Sequence, residues 1–317
     1  MNLPVFAFLF PGQGSQAAGM GKELAALYPV ARHTFQEADD ALGFSLSKLC
    51  FEGPDSELKM TEITQPAVLT VSVAVARVLG EKGVVPQFVA GHSLGEYSAH
   101  VAAGTLEFVD AVRTVRKRGR YMQEAVPAGH GAMAAILGMP LETLQQVCVD
   151  AAQGEVVSPA NINSPDQIVI SGAQKAVERA AELAKERSAK RAVMLQVSAP
   201  FHCAMMQPAQ DRLAKDLQQL KFSDPDVPVV ANIDAESRTN ADAAREALVR
   251  QVTGAVQWLG CVQKLIARGA NTFVEVGPGK VLTGLMRQID RVQSAFNVED
   301  EASLQKVTNL VAAAAKE

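Results

Sequence analysis

Gln87-Phe88-Val89-Ala90-Gly91-His92-Ser93-Leu94-Gly95-Glu96 is the stretch on which the reading of this chain turns. Residues 87–91 are short, apolar and β-like, and residues 94–103 have a helical pattern. Between them lies Gly91-His92-Ser93-Leu94-Gly95, a match to G-x-S-x-G. That pentapeptide alone occurs in many chains by chance. Its chemical meaning depends on a strand before it and a helix after it. In that setting the serine sits on a tight, strained turn and the glycines leave room for it. Its hydroxyl then stands at a helix N-terminus, where backbone N–H groups and the helix dipole favour a developing oxyanion. Ser93 is therefore the candidate nucleophile. The competing reading is a serine that merely caps the helix.

Outward from this turn, strand-like and helix-like segments alternate. Residues 5–10 form a continuous apolar run, as in a strand buried on both faces. A Gly-rich turn follows, Pro11-Gly12-Gln13-Gly14, and residues 20–27 look helical. Residues 65–80 read as a long interior helix rich in Ala, Val and Leu. Further on, residues 227–232 and 271–276 read as strands, each followed by a helix. This alternation predicts an α/β fold with a parallel sheet covered by helices. The alanine-rich residues 310–316 read as a surface helix.

The middle of the chain has a different order. Residues 131–137 read as a strand and 141–152 as a helix opened by Pro140. Residues 156–162 and 167–171 read as strands around a Ser164-Pro165-Asp166 turn. A helix over 173–187 and a strand over 191–197 follow. The sequence β-α-β-β-α-β is the split βαβ pattern. It predicts a small domain, residues 128–198, inserted into a large domain made of 1–127 and 199–317.

A serine at its free pKa is a weak nucleophile and needs a base. The chain has five histidines. His92 adjoins the serine in the turn, so its side chain points elsewhere. His100 is two helical turns beyond Ser93, about 10 Å along the axis, which is too far. His33 falls in a polar helix and His130 in a Gly-rich junction. His202, in Ser198-Ala199-Pro200-Phe201-His202, follows a strand where the inserted segment rejoins the rest. Domain junctions and strand ends are where sites form, and serine before histidine is the order found in hydrolase-type sheets. His202 is the candidate base. Asp110, Asp150 and Asp166 lie between the two, but nothing places any of them as a third member. A backbone carbonyl or a side-chain amide is the expected orienting group.

On the helix of residues 108–122, Phe108, Ala111, Val115 and Met122 make the apolar stripe. Arg113, Arg116, Lys117 and Arg120 fall on other faces. Arg118 falls beside the stripe. A buried arginine needs an anionic partner, either an acidic side chain or a substrate carboxylate, which the guanidinium fork fits well. In the first loop, Gly12-x-Gly14-x-x-Ala17 is a loose match to a dinucleotide fingerprint, but no acidic residue ends a second strand about twenty residues later. A backbone N–H of Gln13 serving an oxyanion suits the site better.

The net charge is −4, from 30 basic and 34 acidic residues, which argues against a nucleic-acid binder. The four cysteines are far apart, with no C-x-x-C spacing, so neither a zinc site nor a redox dithiol is expected. The apolar run at residues 5–10 is too short for a signal peptide or a membrane span. A cytoplasmic enzyme with no cofactor and no membrane contact is expected. No long apolar heptad seam is visible, so a monomer is expected.

Taken together, Phe10-Pro-Gly-Gln-Gly-Ser-Gln16, Gln65-Pro66, Gly91-His-Ser-Leu-Gly-Glu96, Arg118, Asn161 to Pro165, Ala199-Pro-Phe-His202 and Glu275-Val-Gly-Pro-Gly279 resemble the malonyl-CoA:acyl-carrier-protein transacylases of bacterial fatty-acid synthesis. These pieces span nearly the whole chain, in the right order. The resemblance implies a hydrolase-like large domain with a ferredoxin-like α+β insertion. It implies a Ser93–His202 dyad, with Gln13 and Leu94 N–H groups as the oxyanion hole. It also implies Arg118 on the malonyl carboxylate and Gln251 orienting His202. His92, Asn161, Asn163 and Phe201 match positions at or near the family's substrate cleft. Malonyl-CoA and acyl carrier protein are the implied substrate and partner. The carrier is acidic in this family, and Arg113, Arg116, Lys117 and Arg120, or Lys185, Arg187, Lys190 and Arg191, are candidate steering groups. A polyketide-type acyltransferase acting in trans shares this pattern, and a serine thioesterase shares the elbow.

Overall fold

The structure, a computed structural model, describes residues 4–197 and 199–314. Ser198, the last residue of the expected insertion, and the end of the expected C-terminal helix lie outside the described residues. The chain builds two sheets. The larger contains β1 (Phe6–Phe10), β2 (Phe88–Gly91), β7 (Val229–Val230), β8 (Ser237–Arg238), β9 (Thr272–Val276) and β10 (Ser294–Val298). Its strand order is β10-β9-β1-β2-β7-β8. All neighbours are parallel except β8, which runs antiparallel to β7. The smaller sheet contains β3 (Gly131–Leu137), β4 (Val157–Ser164), β5 (Gln167–Ala173) and β6 (Arg191–Met194), in the order β4-β5-β3-β6. It is antiparallel throughout.

The α/β class and the two sheets agree with the sequence reading; three details differ. The strand expected over 227–232 is only the pair Val229–Val230, and it turns back into β8 before the next helix, which makes the large sheet mixed. β10 was not anticipated, because its residues are mostly half-buried and bordered by polar ones. The strand expected over 191–197 ends at Met194, and Leu195 to Val197 leave the sheet to line the cleft described below.

Every residue of β1 is buried, as its unbroken apolar run predicts. The long helix Thr61–Glu81 packs within the main core. By length and hydropathy it could cross a membrane, yet 83% of its most apolar window is buried inside the protein. The smaller sheet has its own core, built from Ile136, Ile168, Ile170 and the inner faces of helices Leu141–Ala152 and Gln174–Glu186. A backbone bridge ties β4 to the segment just before helix Trp258–Ala267: Ile162 N donates to Val256 O and Val256 N to Ala160 O, making an isolated parallel bridge at Asn161. All four cysteines are unpaired and buried.

This topology places the site. The C-terminal ends of adjacent strands β1, β2 and β7 lead into Pro11, His92 and Ala231 respectively. Ligands of parallel sheets bind at such a crevice.

Candidate active site

The two glycines of the elbow are there because backbone occupies their side-chain positions. A Cβ on Gly91 would lie 1.9 Å from the Gly95 carbonyl, and one on Gly95 would lie 2.1 Å from Phe10 O. With that close packing, Ser93 is forced to φ 52°, a left-handed backbone that serine seldom adopts. Asn232, just past β7, holds the turn in place. Its Oδ1 accepts from Ser93 N at 2.7 Å, and its Nδ2 donates to Gly91 O at 2.7 Å. Ser93 N is thereby occupied, and the next backbone donor at the cleft wall belongs to Leu94.

Ser93 Oγ lies 2.7 Å from His202 Nε2. On the far side of the ring, Nδ1 lies 2.9 Å from the backbone oxygen of Gln251. A carbonyl can only accept, so Nδ1 carries the proton and Nε2 presents a lone pair to the serine hydroxyl. The orienting group is therefore a backbone carbonyl, and the third acid that the sequence failed to locate is not needed. Asp150, one of the acids considered, pairs instead with Arg187.

Arg118 is 1% exposed and sits beside this pair. The helix Phe108–Glu124 brings it there through Gly119, where a Cβ would lie 2.6 Å from Thr61 O. Its Nη1 donates to Gln65 Oε1 at 2.9 Å, and its Nη2 to Gln251 Oε1 at 2.9 Å and Ser93 Oγ at 3.2 Å. Its Nε has no hydrogen-bond partner among the described residues. No carboxylate lies within 4.0 Å of it among those residues, so the internal ion pair left open by the sequence is not formed.

These groups face a cleft of about 650 Å³. Gln13, Leu94, Asn161 and Phe201 also line it, as does His92. Gln251 and Asn163 stand one layer back. Gln251 is fully buried behind Arg118 and His202, and Asn163 Oδ1 lies 2.8 Å from His92 Nε2. Gln65 lies in one of the motifs that carry the resemblance, with no role that the sequence assigns, and Asn232 lies in none of them. Its signal was its place at the end of an expected strand in an α/β sheet. Among the described residues no group of three His, Cys, Asp or Glu side chains is arranged to hold a metal.

Burial first, then the positive charge of Arg118, push His202 from 6.5 down to about 3, while the Gln251 carbonyl pulls the other way. A base with a depressed pKa stays unprotonated as pH falls. The kcat/KM for the acylating substrate is therefore expected to stay level from about pH 8 to about pH 5. A pH–rate profile with an acid limb near 6.5 would contradict a desolvated ring. The same depression affects stability: the unfolded ring takes its proton near 6.5 and the folded one does not. The contribution of the neutral ring is complete above that pH and is lost as pH falls toward about 3.

Comparison with known proteins adds the following. The profile of the acyl transferase domain family matches residues 7–311. The malonyl CoA-acyl carrier protein transacylase of Escherichia coli (strain K12) is 52% identical over 300 residues, 94% of this chain and 97% of that protein. The Bacillus subtilis (strain 168) protein of the same name is also 52% identical over 300 residues, covering 94% of this chain and 95% of its own. Among solved structures, the Coxiella burnetii malonyl CoA-acyl carrier protein transacylase superposes with a TM-score of 0.95 at 44% identity, covering 97% of this chain and 98% of that one. A malonyl-transacylase in complex with its type II PKS acyl-carrier protein gives 0.94 at 49% identity, over 96% of this chain and 99% of that one.

Proposed function

The chain belongs to the acyl transferase domain family, among the malonyl CoA-acyl carrier protein transacylases, and on that premise we propose how it transfers malonyl groups from malonyl-CoA to acyl carrier protein for fatty-acid synthesis. The reaction is ping-pong, through a malonyl ester on Ser93. Ser93 Oγ gives its proton to His202 Nε2 and attacks the thioester carbonyl. The tetrahedral oxyanion is held by the N–H groups of Gln13 and Leu94. Its collapse breaks the C–S bond, and the departing coenzyme A sulfur takes the proton from His202. In the second half, the phosphopantetheine thiol of the carrier gives its proton to His202, and its sulfur attacks the ester carbonyl. The Ser93 oxygen leaves and recovers that proton.

The observation that carries this reading is Arg118. A buried guanidinium beside the nucleophile is held by neutral amides and is in contact with no carboxylate among the described residues. The free carboxylate of a malonyl group supplies the missing anion and, through the same contact, places the thioester next to Ser93. A plain hydrolase has no use for that cation. The likeness to a polyketide malonyl-transacylase supports a second carrier with the same chemistry.

On this reading residues 128–198 are an inserted small domain whose β4 brings Asn161 to the cleft and Asn163 behind His92, and Phe201 narrows the cleft against branched acyl groups. No cofactor enters the scheme. The polar substrates support a cytoplasmic enzyme.

Intact-protein mass spectrometry after brief mixing with malonyl-CoA tests the scheme. A malonyl adduct that holo acyl carrier protein then discharges is expected. Steady release of coenzyme A with no adduct would overturn the ping-pong route in favour of hydrolysis.

A further inference from the structure

Glu96 is the second residue of the helix Gly95–Ala102 that follows the nucleophile, is fully buried and is not among the residues that line the cleft. Its carboxyl oxygens are used unequally. Oε2 accepts from Asn232 N at 2.9 Å and from Gln251 Nε2 at 2.8 Å. Oε1 has no hydrogen-bond partner among the described residues, and His100 Nε2, 4.0 Å away, belongs to a ring that burial pushes down to about 3 and so keeps neutral.

The two donors on Oε2 are the residues on which the reacting groups depend. Asn232 clamps the elbow through Ser93 N and Gly91 O. Gln251 carries three tasks at once. Its backbone oxygen orients His202, its Oε1 holds Arg118, and its Nε2 also donates to Ser93 O at 2.9 Å. Gln251 caps the helix Ala241–Arg250, with helical backbone angles and its N–H donated to Ala247 O at 2.9 Å, so the helix fixes its main chain but not its side-chain amide. Neither donor, therefore, is held by a strand or helix alone.

We propose that Glu96 is a positioning residue for the transfer reaction, one oxygen of which fixes Asn232 and Gln251 and so sets the serine, the histidine and the arginine relative to one another. What the position requires is a double acceptor rather than a charge. Burial pushes the Glu96 carboxyl up to about 7, so both protonation states are populated near neutrality. A proton placed on the unpartnered Oε1 leaves Oε2 free to accept both bonds. Glutamine can do the same, its amide oxygen replacing Oε2 and its NH₂ occupying the place of Oε1. Methionine has the volume but no acceptor, and aspartate is one methylene too short to reach both donors.

The proposal rests on Ser93 and His202 as the reacting pair. Acylation of wild type at Ser93 is the control for that reading, and failure there is distinct from failure of the role of Glu96. The test compares single-turnover malonylation, KM for malonyl-CoA and far-UV circular dichroism for E96Q, E96D and E96M. Acylation by E96M is expected to slow about 100-fold, the size of a misplacement of about 1 Å, with KM within roughly threefold. E96Q is expected within about fivefold of wild type, with E96D between the two. Should E96M fail to fold, E96D carries the test. Folded E96M or E96D acylating at the wild-type rate would overturn the proposal. So would E96Q as slow as E96M, since charge rather than acceptance would then be the requirement.

Discussion

Ser93→Ala is expected to lose the malonyl adduct completely, and His202→Ala to lower malonyl transfer by about 10⁶-fold, as close to inactive as the serine variant. The two losses are similar in size because the groups act as a unit. At 2.7 Å the serine hydroxyl has one proton acceptor, and the Gln251 carbonyl fixes which ring nitrogen faces it. Without the ring, the hydroxyl must ionise unaided; without the hydroxyl, the ring has nothing to activate. The double variant is expected to be no slower than either single one. Stopped-flow release of coenzyme A measures all three. A His202→Ala enzyme within about tenfold of wild type would mean that another group takes the proton.

Arg118→Ala is the second large effect and is selective. Truncating one partner of a buried, hydrogen-bonded charge pair costs about 4 kcal/mol, or about 10³-fold in kcat/KM for malonyl-CoA. Acetyl-CoA has no carboxylate to lose, so its transfer is expected to be spared or improved. Arg118→Lys keeps the charge without the fork and should fall between. The charge of Arg118 is also the second cause of the low His202 pKa, so its removal lets the ring rise. The acid limb of acetyl transfer by Arg118→Ala is therefore expected at higher pH than for wild type. Equal losses for acetyl and malonyl substrates would show that Arg118 is structural.

What the sequence disclosed follows the range over which each signal acts. The elbow was legible because strand, turn, serine and helix are contiguous. His202 was legible because it ends the segment that rejoins the large sheet. Arg118 could be picked from its helical face, but the sequence alone could not decide between an internal acid and a substrate carboxylate. Only the set of neighbours, Gln65 and Gln251, shows that no acid is in contact. Gln251 had no periodicity to mark it and entered only through the family resemblance. Asn232 and Glu96 were missed because their partners lie 139 and 136 residues away in the chain. The short β7 and half-buried β10 carry too few apolar residues to stand out against their polar flanks.

The fate of the protein's own sulfur has a consequence for its chemistry. Both the donor and the acceptor of the acyl group are thiols, so any reactive cysteine would be a competing destination. Burial raises the thiols of Cys50, Cys203 and Cys261 and pushes Cys148 up to about 12, so each stays protonated and poorly nucleophilic near neutrality. On the proposed route acyl groups then pass from one sulfur to another across the Ser93 oxygen, with the protein's own thiols poor competitors for them. A thiol-reactive dye added during turnover should accordingly report coenzyme A release against a nearly flat background.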